Sequence, residues 1–152
     1  MIEIGAKRFN TTGPCFPAEH YMLDALARLP DIEPFIASRL YFVLHAARQA
    51  GKTTAMKALV KKLNAAGKVA AVYCSLEIVQ DKKDPKETLI AIARQIAVNA
   101  LRYPPFKEKH IDVTPGESAL APGAADVLVG NTISRLCEAA GKPVVLFFDD
   151  GK

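Results

Sequence analysis

The chain has 152 residues, is half hydrophobic with about a quarter of its residues charged, and carries a net charge of +4. That balance fits one globular core rather than a disordered or membrane chain. No stretch approaches the roughly 20 apolar residues of a membrane span, the N-terminus lacks the layout of a signal peptide, and three scattered cysteines give neither a disulfide framework nor metal-ligand spacing. A cytoplasmic location is the default expectation, with Cys74 and Cys137 reduced and in the core.

In chain order, residues 9–14 (Phe-Asn-Thr-Thr-Gly-Pro) have turn composition. Residues 18–29 place Met22, Leu26 and Leu29 at helical spacing, and Pro30-Asp31 stops that helix. A second short helix is expected over 31–38, ahead of an apolar strand at 40–45. Residues 1–39 thus form an extension leading into a domain that fills 40–152.

The next helix carries Met56, Leu59, Val60 and Leu63 on one face, Lys57, Lys61 and Lys62 on the other, and Gly67 as its stop. A β-rich run follows from Val69 to Leu76, ending at Glu77. Asp84-Pro85-Lys86-Glu87 supplies a cap, a proline at the first helical position and an acid in the first turn, opening a helix to about Leu101 with Leu89, Ile92, Ile96 and Ala100 inward. Residues 103–123 have prolines and glycines without periodicity and read as an exposed excursion. The last helix, about 124–140, turns Val129, Ile133, Leu136 and Cys137 inward, and Pro143 to Asp150 is an apolar run expected to be buried on both faces and to end in two acids. Strands alternating with helices imply a mostly parallel sheet with right-handed crossovers, hence a three-layer α/β/α sandwich.

Two segments carry chemistry. Ala46-Ala47-Arg48-Gln49-Ala50-Gly51-Lys52-Thr53-Thr54 lies between the expected strand at 40–45 and the amphipathic helix, the strand–loop–helix setting of a phosphate-binding loop. Amides at a helix start point at a ligand, and the helix dipole favours its negative charge. Gly51 accepts backbone angles that a side chain forbids. Lys52 would reach the β- and γ-phosphates, Thr53 would offer its hydroxyl to magnesium, and Thr54 would reach the α-phosphate. The general pattern has glycine where this chain has Ala46. The bland reading is an ordinary helix start with a threonine cap and a surface lysine.

Asp149 and Asp150 are the second segment. A buried parallel strand brings its C-terminal end to the ligand crevice, where Asp149 would hold magnesium through water and Asp150 would orient or activate the attacking water. The basic residues are spread over Lys61-Lys62, Lys82-Lys83-Lys86 and Lys107-Lys109, so they read as solvated faces and nucleic acid is unsupported as a partner.

With both motifs placed in this order, the chain resembles an AAA-type ATPase, nearest to AAA-like ATP-binding proteins of prokaryotes, with Walker A and Walker B elements. Ala46, Arg48, Gln49, Gly51, Lys52 and Thr53 match that loop pattern, and Ala47 departs from it at a proline. The resemblance implies ATP and Mg2+ as cofactors, a protein partner moved or switched by hydrolysis, and oligomerisation in a full-length protein. It extends to residues 9–14 and His20-Tyr21, which by position would border the adenine. Asp150 stands where such ATPases carry glutamate, and Glu77 is a candidate substitute base. The resemblance also implies a further strand after the two acids, so the expectation is a fragment of a longer protein, incomplete at its C-terminus. The alternative is a smaller sheet in which the strand at 40–45 pairs directly with that of Asp149. A nucleotide-binding switch with little or no hydrolysis is the alternative activity.

Overall fold

The computed structural model describes residues 7–10, 18–21, 24, 26, 27, 29, 31–45, 47, 50–109, 111 and 124–150, the first three residues of the last helix by backbone alone. It is a small α/β structure with a two-stranded parallel sheet, and the chain divides into two compact units, Met1–Ala58 and Leu59–Lys152. Among the described residues, no helix is long and apolar enough to cross a membrane.

In the first unit, Arg8 and His20 form an isolated parallel bridge, with Arg8 N–H donating to the Glu19 carbonyl and Tyr21 N–H to that of Arg8, both at 3.0 Å. The expected helix over 18–29 is not formed at its described residues. Part of the reason is local: Asp24 Oδ1 accepts the Leu26 N–H at 2.9 Å, offering the backbone a turn in place of a helical bond. Helix α1 is Glu33–Ala37, inside the expected 31–38, with Pro34 in its first turn and Asp31 Oδ1 accepting the Glu33 N–H. It stops at Arg39, held at φ 55° by bonds from Arg39 N–H to Ile36 and Leu40 N–H to Phe35.

Residues 40–45 are not a strand. Their exposure alternates, with Phe42 and Leu44 half-buried and Tyr41 and Val43 outward. Strand propensity therefore shows in the alternation, yet no described segment supplies the ladder partner that a strand requires. Phe42 meets Phe35 of α1 instead, ring centroids 6.2 Å apart.

Helix α2 is Lys52–Ala66. Its buried residues are Ala55, Met56, Leu59, Val60 and Leu63, as the apolar spacing requires, and Gly67 takes a positive φ just past its end.

In the second unit, β1 (Ala70–Ser75) pairs in parallel with β2 (Val144–Asp149), Ala70 opposite Val144 and Ser75 opposite Asp149. Helix α3 (Pro85–Ala100) begins where the sequence signals it: the Asp84 side chain accepts the Lys86 N–H at 2.9 Å and Pro85 occupies the first helical position. Helix α4 is Ala124–Ala140, with the bounds its periodicity gives. One core joins Ala70, Val72 and Cys74 of β1 to Ile96, Ala97 and Ala100 of α3 and Leu136 of α4, with Val144, Leu146, Val129 and Ile133 packed against it.

Three expectations change here. Phe106 is fully buried and Ile111 nearly so, both in this core, so the start of the 103–123 segment is no exposed excursion. After α3 the chain turns through bonds from Tyr103 to Ala100, Phe106 to Tyr103 and Lys109 to Phe106. The apolar area of a phenylalanine outweighs a proline-rich context; residues 112–123 lie outside the described ones. Cys137 is exposed while Cys74 is buried, because the inward stripe of α4 runs through Val129, Thr132, Ile133 and Leu136. Strand β2 is not buried on both faces: Phe148 is 43% exposed, and β1 is the more enclosed strand.

The outer edge of β1 is occupied by side chains. Asn64 of α2 donates to the Ala71 carbonyl at 2.8 Å and accepts the Ala71 N–H at 3.0 Å, and the Tyr73 backbone is hydrogen-bonded to the Tyr103 phenol. An amide group presents the same donor and acceptor pair as a neighbouring strand.

Candidate functional site

The two candidate segments fall in different units, and each is built from its own elements. In the loop segment, Ala50 N–H donates to Ala47 O at 3.1 Å, closing a turn. Gly51 follows at φ +86°, a left-handed angle that side chains disfavour, and an added Cβ there would have no atom of the described residues within 4 Å. The constraint at Gly51 is therefore one of backbone angle.

Helix α2 opens at the next residue, and Ala55 N–H donates to the Gly51 carbonyl at 2.9 Å, closing its first turn. Lys52 and Thr53 are half-buried and Thr54 exposed in that turn, whose amides lie ahead of the first intrahelical bond. Ala46, Arg48 and Gln49 lie outside the described residues. Of the 9–14 and 20–21 segments, the described parts touch at Phe9 and Tyr21, whose exposed rings lie 5.1 Å apart beside the Arg8–His20 bridge. Thr11, Thr12, Gly13 and Pro14 are outside the described residues.

In the strand segment, Asp149 closes β2 and is only 4% exposed. Its Oδ2 accepts the Tyr73 phenolic O–H at 2.8 Å, and its backbone carbonyl accepts the Leu76 N–H at 2.7 Å. Asp150 is exposed, and the Gln80 side-chain amide donates to its carbonyl oxygen. Glu77 is exposed at the start of a short 3-10 turn, Glu77–Val79.

The donor chemistry suits the expected ion. Thr53 and Asp149 offer hard oxygens, and magnesium bound with a nucleotide takes few protein ligands, keeping waters and phosphate oxygens for the rest. Among the described residues, no group of three or more His, Cys, Asp or Glu side chains could cage a metal unaided.

Tyr73 and Gln80 are the residues that sequence reading missed. Nothing in the β1 sequence marks Tyr73; the signal lies in the register, which sets Tyr73 opposite Phe147 and so two positions from Asp149 on one face. Comparison of the chain with protein-family models, with curated proteins and with solved structures finds no match.

Proposed function

We propose that the chain is the ATP-binding core of a P-loop ATPase of the AAA type, a three-layer α/β/α sandwich with a mostly parallel sheet that hydrolyses ATP with Mg2+. The observation that carries this reading is Gly51: a left-handed glycine immediately before Lys52-Thr53 at the start of a long amphipathic helix. An ordinary helix cap, glycine included, holds β-region backbone angles, whereas Gly51 stands at φ +86°. Asp149 and Asp150 at the C-terminal end of a parallel strand support the same reading.

The roles follow from the residue chemistry. Gly51 lets the backbone come close to phosphate oxygens, and the first-turn amides donate to them. Lys52 brings a compact positive charge to the β- and γ-phosphates. Thr53 would offer its hydroxyl to the magnesium ion and Asp149 would hold it through water, and the ion when bound would neutralise the charge developing on the phosphates. Asp150 orients the attacking water and accepts its proton.

Thermal melting of the chain with and without Mg-ATP tests the proposal. A ligand at a hundred times its dissociation constant adds about 2.7 kcal/mol of stability, so a clear upward shift is expected, lost in Lys52→Ala. A cooperative melt that ATP leaves unmoved overturns the reading.

One observation favours a second activity, a nucleotide-gated switch with little or no hydrolysis. Asp150 is one methylene shorter than glutamate, and displacement of a catalytic group by about an ångström costs on the order of a hundredfold in rate. Phosphate release well above background and lost in Asp150→Ala decides for the ATPase.

A further inference from the structure

The contact between Tyr73 and Asp149 joins two strands at the end where both carry polar residues. Side chains of β1 and β2 in register share a face, so Tyr73, Ser75, Phe147 and Asp149 project together, and Asp149 is the diagonal neighbour of Tyr73. A tyrosine is long enough to close that diagonal, and it does so at 2.8 Å. A carboxylate with 4% exposure depends on donors in place of water. The phenol is such a donor and adds no counter-charge of its own, so the hydrogen bond stabilises the carboxylate without cancelling its attraction for a cation. It also restrains rotation of the carboxyl group, because the ring at the other end stands on β1.

We propose that Tyr73 is a positioning residue for the metal, holding the Asp149 carboxylate in the orientation that receives the magnesium of a bound nucleotide. This inference rests on the phosphate-loop reading above. Partners of this kind, which orient a ligand without touching the ion, change metal affinity by about 10- to 100-fold when removed.

The test uses the full chain and Tyr73→Phe, which keeps the ring and deletes only the donor. Mn2+ is the probe, its retention with ATP read from the electron paramagnetic resonance signal of the free ion. ATP binding in EDTA is measured beside it with a fluorescent analogue. The expected result is about tenfold weaker retention of Mn2+ in Tyr73→Phe, with metal-free binding unchanged. In an Asp149→Asn background the tyrosine change should have no further effect on retention, because the carboxylate it orients is gone. Unchanged retention in Tyr73→Phe overturns the inference alone, as does an equal loss with and without metal, which marks a merely structural role. If the wild-type chain binds neither ATP nor Mn2+ with ATP, the phosphate-loop reading fails and the inference fails with it.

Discussion

The two faces of the β1–β2 pair, built from alternate residues of the same twelve, have separate duties. Ala70, Val72, Cys74, Val144 and Leu146 face the apolar core with α3 and α4, while Tyr73, Ser75, Phe147 and Asp149 share the opposite face. The core residues shared with α3 and α4 and the Tyr73–Asp149 pair are thus one residue apart along the chain. A slip of one residue in register would exchange them, putting a carboxylate into the core and valines where a cation is expected. The sheet therefore enforces its own register: the fully buried Ala70, Val72 and Cys74 on one face oppose the slip, and so does the hydrogen bond on the other.

Damage confined to the packed face should have the largest effect. Phe106→Ala removes a fully buried ring from that core and should cost about 3–5 kcal/mol in denaturant unfolding. If metal and nucleotide binding survive below the lowered midpoint, the two faces are separable; coupled loss would show that they are not. A smaller effect is expected at the edge, where Asn64→Ala leaves the Ala71 N–H and carbonyl without their side-chain partners. That should cost about 1–3 kcal/mol, measured by the same unfolding curve.

A third test is a pH titration of the packed face. Burial pushes the Cys74 thiol from 9.0 up to about 12. Above pH 9 the unfolded chain gives up this proton and the folded chain keeps it, so stability is level below that pH and falls as pH rises toward 12. The slope is about 1.4 kcal/mol per pH unit for one group. Cys74→Ala should flatten this part of the profile, although burial also raises the Tyr103 phenol and leaves a fall of the same sign at higher pH.

Local signals explain which elements were legible. The start of α3 was readable because its cap, proline and acid act within one turn, and α2 and α4 because helices make their own hydrogen bonds. The apolar runs at 40–45 and 144–149 look alike in sequence, yet only the second is a strand, because a strand exists through its partner and β1 supplies one. Of the candidate site, Gly51 could be read from its place before Lys52, since its backbone angle is a local property. Tyr73 could not, because its bond to Asp149 spans 76 residues and depends on register. Phe106 was hidden by its prolines, whose turn signal says where a chain bends and not whether the bend is covered.

The clamp of Asn64 on Ala71 also bears on what the chain does in a crowded solution. Growth of a cross-β filament needs each strand to recruit another through its outward amides and carbonyls. On β1 the Ala71 pair is already taken by a side chain anchored on a helix. A recruit at that edge would have to displace it, so Asn64 opposes strand addition there from a position outside the sheet.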